Sequence, residues 1–362
     1  MYPLLPIMMF FVYQNKKIAK FTHAMRSEYQ QYHDDPSYTE EQKIMKTLEQ
    51  YFTLRYEMLH LLRPLDLSFL ADESLYELYR MMYELQRAKK KGLGIEDFIF
   101  KLEYLDLRIK HHAAEVKLSE NNYVIYHALP DTVSRLRGQA HELILRKNNS
   151  GWKIVSDITL DLVTEAAKKS KKSLKQFLEE TLKHPPYDVG EKNSIKRVIP
   201  LTRSYYDRQA AVSYAHQWAL RYNPAYGNFT EYGGDCTNFA SQVIHAGGKP
   251  MDYSGPHKWF YQSLNNRTPS WAGVDEIYSY LSKNTSGGAS ARVVSLNEVK
   301  PGDIVQLDFD DATWDYNHSP VVVKVMEVGN PSKILVSAHT INRDNYPLAN
   351  YSYRRIRPLQ IL

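Results

Sequence analysis

The feature that most constrains this chain is a change of hydrophobic period that occurs twice. Between Ser37 and Gly94, Ile44, Met45, Leu48, Phe52, Met58, Leu59 and Leu62 recur at steps of three and four, the spacing of one helix face. The stretches KLEYLDLRIK, NNYVIYHAL and HELILRK then alternate as antiparallel strands do, and GWKIVSDITL follows a turn at NNSG. The second half repeats the order. YYDRQAAVSYAHQWALRY, with Ala210, Ala211, Tyr214, Ala215 and Trp218 on one face, precedes the strand-like GDIVQLDF, HSPVVVKVMEV and KILVSAHT. Helices first and antiparallel strands second, in both halves, predict an α+β protein.

Punctuation refines the layout. Ser37 and Glu40 have the spacing of a capping box. Asp72 can cap a second helix carrying Leu75, Leu78, Met81, Met82 and Leu85, which ends in the basic run Arg87 to Lys91 and then Gly92. HKWFYQSLNN and WAGVDEIYSYLSKNT read as short helices. The expected divisions are an apolar N-terminal arm or degenerate export signal over 1–36, an α+β accessory domain over 37–165, a basic helix and linker over 166–196, and a second α+β domain over 197–362. The linker assignment rests on HPPYDVGEKNS, with its prolines, glycine and charges. The apolar run from Tyr2 to Tyr13 is too short to span a bilayer, and it lacks the basic start and small-residue cleavage site of an export signal.

Charge excludes one class of partner. The net charge is +5, and from Ile195 onward 17 Lys and Arg stand against 14 Asp and Glu. Neither half has the one-sided basic balance that nucleic acid requires. The 28 tyrosines serve stacking surfaces or half-buried strand and helix faces. His111 and His112 are adjacent in or beside a strand and point to opposite faces, which argues against a shared metal. The acidic loop from Asp308 to Asp315 lacks the spacing of a calcium loop and reads as solvated. No oligomeric state can be read.

The chain has 1 cysteine, which excludes an intrachain disulfide and a cysteine-based zinc site. That residue, Cys236, sits in YGGDCTNFASQVIHAGG. Gly233 and Gly234 permit a tight turn, Asp235 or Thr237 can cap free N–H groups, and Phe239, Ala240, Val243 and Ile244 give the following helix an apolar face. A helix N-terminus favours the thiolate, so the placement suits a nucleophile. Such a thiol needs an imidazole as base and a polar group to orient it. His318 begins HSPVVVKV at a strand entry. Reflecting KILVSAHT about the GNPS turn brings residues 341 to 342 opposite His318, with His339 beside them. His339 is the first expected orienter and Asn342 the second. Oxyanion or substrate contacts are sought among Tyr232, Gly234, Asp235 and Trp259, with His257 a further candidate for substrate contact; Tyr232, Trp259 and Trp271 line a groove or pack in the core. His245 lies far along the helix and reads as a packing residue.

These motifs carry two resemblances. HELILRKNNSGWKIVSD resembles the last hairpin of small cone-shaped domains of the NTF2-like type, and no polar cluster suited to chemistry stands out in that half. The segment from about Tyr205 to Tyr351 resembles the "putative amidase domain" family of bacterial proteins through YDRQAAVSYAHQWA, NPAY, GGDCTNFASQ, GDIV, HSPVVV and AHT followed by NYPL. That family is similar to the NlpC/P60 and CHAP peptidases and amidases of papain-like fold. The resemblance implies a cysteine amidase or peptidase acting on peptide or peptidoglycan-type substrates, with no metal or organic cofactor, in a secreted or envelope-associated protein; a cytoplasmic location stays open. A non-catalytic peptide- or wall-binding module on the same scaffold is the competing expectation, and amide transfer would use the same residues.

Overall fold

The computed structural model describes residues 35–65, 67–159, 187–188, 205–254, 256–285, 287–309 and 315–362. The expected N-terminal arm and the basic segment with its linker lie outside these residues, apart from 35–36 and 187–188. Contacts divide the chain into two compact units, Met1–Asp131 with Ala140–Thr159, and Thr132–Gln139 with Leu160–Leu362. Each mixes helices with antiparallel strands.

In the first unit, helices α1 (Glu40–Leu61) and α2 (Leu75–Lys91) precede strands β1 (Ile95–Lys110), β2 (Ala113–Tyr126), β3 (Val133–Asn148) from Ala140 onward, and β4 (Gly151–Thr159); the start of β3, up to Gln139, belongs to the second unit. The capping box lies two residues beyond Ser37. Thr39 Oγ1 accepts from Gln42 N at 3.2 Å and Gln42 Oε1 accepts from Thr39 N at 2.8 Å, whereas Ser37 N donates to Asp35. α2 starts after Ser74, whose hydroxyl donates to the Ile154 carbonyl instead of capping the helix. It ends on Gly92 at φ +63°, as the glycine requires. His111 and His112 form the turn between β1 and β2. Ile44, Leu48, Phe52 and Met81 pack against Val116, Leu118, Leu143 and Trp152 in a closed core.

That unit also holds a buried charged cluster that hydrophobic patterning does not reveal. His141 lies between Asp157 (Nδ1–Oδ1 2.8 Å) and Glu120 (Nε2–Oε2 3.1 Å). Arg80 and Tyr51 reach the other Asp157 oxygen at 2.8 and 2.9 Å, and Arg80 also holds Glu77. Tyr56 donates to Glu120. The two carboxylates drive His141 up to about 9 against the penalty of burial, and His141 in turn holds Glu120 down to about 2 despite burial. The charges compensate one another, which is the condition for burying them.

In the second unit, β5 (Tyr187–Asp188) precedes α3 (Arg208–Trp218) and α4 (Cys236–Ala246). A hairpin of β6 (Tyr261–Ser263) and β7 (Asn266–Arg267) follows, then α5 (Pro269–Ala272), α6 (Val274–Lys283) and β8 (Ala291–Val293). The strands β9 (Ile304–Asp308), β10 (Val321–Val325), β11 (Ile334–Ala338), β12 (Asn342–Pro347) and β13 (Arg355–Ile361) complete it. HKWFYQSLNN is therefore a strand and turn, not a helix; Tyr261 pairs with Arg267 across Leu264 and Asn265. β12, β11, β10, β9 and β13 lie side by side, with β8 and β5 on β13. Val305, Leu307, Val322, Val336 and Ile356 form the core beneath them.

No helix among the described residues is long and apolar enough to cross a membrane.

Candidate active site

α4 is buried on every side. Phe239, Ala240, Val243 and Ile244 are fully enclosed, and its polar residues are enclosed with them. Each has a partner. Asn238 accepts from Trp271 Nε1 at 2.8 Å and donates to Asp235 and to the Gly227 carbonyl. Ser241 accepts from Trp259 Nε1 at 3.0 Å and donates to the Trp271 carbonyl. Gln242 accepts from the Tyr214 hydroxyl at 2.7 Å. These contacts hold two tryptophans against the helix, so Trp259 and Trp271 belong to the core and not to a groove.

The turn before Cys236 is set by glycines and by Asp235. Gly233 and Gly234 have φ of +104° and +118°. A Cβ on Gly234 would stand 3.0 Å from Thr340 Oγ1, the atom that accepts from Asp235 N. Asp235 occupies the N-cap position but does not cap. Its Oδ1 accepts from Phe229 N and Asn238 Nδ2 at 2.8 and 2.9 Å, and its Oδ2 meets His339 Nδ1 at 2.6 Å. The carboxylate thus ties the loop, the helix and the segment that follows β11 together.

Cys236 is 5% exposed. Burial raises its thiol above the ordinary range, and the nearby Asp235 charge adds to that. Hydrogen bonds oppose the rise: the backbone N–H groups of Ser319 and Thr237 reach the sulfur, and Thr237 Oγ1 lies 3.9 Å from it. The Ser319 contact brings the residue after His318 onto the cysteine.

His318 is itself buried. Its Nε2 lies 3.3 Å from Tyr351 Oη, and its buried Nδ1 has no hydrogen-bond partner. Burial first, and the Arg343 cation second, push the imidazole down to about 3. Tyr351 also senses the charge of Cys236. The three side chains therefore share one neighbourhood.

His339 faces elsewhere. Its Nδ1 meets Asp235, its Nε2 meets the Trp218 carbonyl at 2.8 Å, and its ring stacks on Phe239. Both ring nitrogens are thus engaged away from His318. A bulge between Val322 and Lys324 shifts the β10–β11 register by one, and the pairing stops at Val321 with Ser337. His318 instead bridges to Leu307. Asn342 accepts from the Tyr222 hydroxyl at 3.4 Å. Tyr351 was not singled out by any motif; its only sequence cue is a position nine residues beyond Asn342 in a tyrosine-rich tail.

Among the other expected contacts, Gly234 N donates to the Phe229 carbonyl and Asp235 N to Thr340. Tyr232 is 69% exposed on the turn just before the two glycines. His245 Nδ1 donates to the Lys249 carbonyl at 2.8 Å, just beyond the end of its helix. Asp308 is held by the Arg355 guanidinium, and residues 310–314 of the acidic loop lie outside the described residues. His257 is half-buried.

Comparison with known proteins finds relatives over part of the chain. The uncharacterized protein YhbB of Bacillus subtilis (strain 168) is 39% identical over 138 residues, 37% of this chain and 42% of that protein. The uncharacterized protein YjcM of the same organism is 29% identical over 205 residues, 53% of this chain and 45% of that protein. The chain thus spans less than half the length of either relative. A solved structure, the intermembrane space region of the chloroplast protein ARC6, aligns over 32% of this chain and 95% of its own at 20% identity, with a TM-score of 0.22, which decides nothing about the fold. Residues 205–361, which contain Cys236, His318 and Tyr351, match the family model described as "Putative amidase domain".

Proposed function

We propose that the second unit is a cysteine-dependent hydrolase of amide or peptide bonds, with Cys236 as nucleophile and His318 as base. The observation that carries this reading is the buried, unpartnered Nδ1 of His318, one residue from the Ser319 N–H that binds the Cys236 sulfur. A buried nitrogen without a partner is costly unless a reacting group uses it. The amidase match over the same residues supports the bond type.

The chemistry follows from these groups. His318 Nδ1 takes the thiol proton as Cys236 Sγ attacks the carbonyl carbon, giving a tetrahedral oxyanion. Backbone N–H at the start of α4, Cys236 foremost, stabilises that oxygen, because the Gly234 and Asp235 N–H groups are engaged elsewhere. The C–N bond then breaks, and His318 gives its proton to the leaving amine. Water, deprotonated by His318, attacks the thioester and releases the acid and the thiol.

On this reading the second unit is papain-like, and the first, two helices followed by antiparallel strands, is an NTF2-like accessory that positions substrate or regulates. Cell-wall peptides are the substrate class we favour, from the resemblance of the Cys236 turn to wall peptidases, which would place the protein outside the cell or at its envelope. The test is hydrolysis of wall-derived peptides by the full chain beside Cys236→Ala. Loss of product with the variant supports the reading; equal turnover overturns it.

One observation favours the rival binding module. The thiol is buried and raised, so the resting protein holds little thiolate. A folded Cys236→Ala variant that binds wall peptides as tightly as the parent, with neither cleaving them, would favour it.

A further inference from the structure

We propose that Tyr351 is the positioning residue for His318, with Arg343 fixing the tyrosine in that role; this rests on the hydrolase reading above. The third position of such a site is commonly sought among the polar residues of the neighbouring strand, yet both ring nitrogens of His339 and the Asn342 carbonyl are engaged elsewhere. Tyr351 Oη is the group that meets His318 Nε2, at 3.3 Å.

The tyrosine is held firmly. Its ring is enclosed between Phe309 at 6.3 Å and the edge of Tyr346 at 5.2 Å. Its backbone N–H closes the turn onto the Leu348 carbonyl at 3.2 Å. The Arg343 guanidinium lies over the Tyr346 ring at 4.2 Å and the Tyr351 ring at 4.7 Å, and it hydrogen-bonds the Tyr351 hydroxyl.

The arrangement has a chemical consequence. For Nδ1 to accept the thiol proton it must be bare, so the neutral ring carries its hydrogen on Nε2. Tyr351 Oη then accepts that hydrogen, and the ring is held in the reactive tautomer. The groups around His318 are Tyr351, Phe309, the Leu307 backbone and Arg343, whose positive charge disfavours the imidazolium. A hydroxyl backed by a cation orients the ring without pre-forming an ion pair. The resting pair is thiol and imidazole, and the proton moves only as the sulfur attacks.

The test uses the full chain, whose lone cysteine makes iodoacetamide alkylation specific to Cys236. Rates are taken across pH for wild type, Tyr351→Phe, His318→Ala and the double variant, with Tyr346→Phe as control. Expected is a fall of about tenfold in Tyr351→Phe, with the double variant no slower than His318→Ala, since the hydroxyl acts only through the imidazole. Arg343→Gln should move the acid limb of the profile up by about one pH unit, because a cation is removed from His318. Multiplicative loss in the double variant, or a Tyr351→Phe profile equal to wild type while His318→Ala is slowed, would overturn the positioning role and leave the hydrolase reading intact. A His318→Ala rate equal to wild type would overturn both. If Tyr351→Phe fails to fold, ¹⁵N-histidine spectra of the wild type decide: the signal absent from His318→Ala should show a protonated Nε2 and a bare Nδ1, and the opposite tautomer contradicts the proposal.

Discussion

Asp235 and His339 form a buried pair, Oδ2 to Nδ1 at 2.6 Å, that ties the residue before the cysteine to the segment that follows β11. The histidine of the AHT motif therefore braces the nucleophile's turn from below. His318 is left to Tyr351.

Breaking that brace should be costly. Asp235→Ala strips an acceptor from Phe229 N, Asn238 and His339 together. The predicted loss is roughly 3–5 kcal/mol, as for removing one partner of a buried pair. Urea unfolding of the second unit measures it, and a loss below about 1 kcal/mol would refute the brace.

Gly234→Ala should act on the same turn by sterics. The backbone has φ +118°, and the new Cβ meets Thr340 Oγ1 at 3.0 Å, the atom that anchors Asp235 N. We expect a cost of roughly 1–3 kcal/mol and slower Cys236 alkylation. Wild-type stability and alkylation together would contradict this account of the turn.

Ser241→Ala tests whether the tryptophans serve packing or substrate. The hydroxyl links Trp259 Nε1 and the Trp271 carbonyl inside the core. Its removal should cost about 1–3 kcal/mol in stability and leave KM for any cleaved peptide unchanged. A raised KM without loss of stability would return Trp259 to the substrate surface.

The charged cluster of the first unit predicts a pH dependence. His141 is raised to about 9 in the folded state, so its contribution is complete below its unfolded value of about 6.5 and fades as pH rises through 9. Glu120 is lowered to about 2, so its contribution is complete above about 4.5 and fades as pH falls toward 2. Urea midpoints for this unit should plateau between about pH 5 and 6.5, and His141→Gln should abolish the decline on the alkaline side. The alkaline decline amounts to about 3 kcal/mol at most. A flat profile from pH 6 to 9 in the wild type would contradict the cluster's charge state.

Periodicity made the elements legible, because the core of each unit follows it: Leu48 and Phe52 on α1, Leu143 and Leu145 on β3, Val322 and Val336 in the facing strands. The Cys236 helix and the β10–β11 hairpin were legible for the same reason, with glycines marking their ends. The partners of His318 were not. A single bulge at Val322 and Lys324 changes which residues face each other, and no local sequence rule announces it. The His141 cluster escaped for a related reason: Glu77, Glu120, His141 and Asp157 are far apart in the chain and meet only when the helices close on the strands. The hairpin at Tyr261 was masked by its aromatic residues, which suit a short helix or a strand equally.

The most direct test of the central claim is the alkylation rate of Cys236 at neutral pH in wild type and His318→Ala. If His318 takes the thiol proton, the wild type should react at least about tenfold faster, and its rate should persist below pH 7, because the imidazole stays unprotonated down to about 3. Equal, slow rates in the two proteins, rising only in alkaline solution, would show an inert buried thiol and contradict the account.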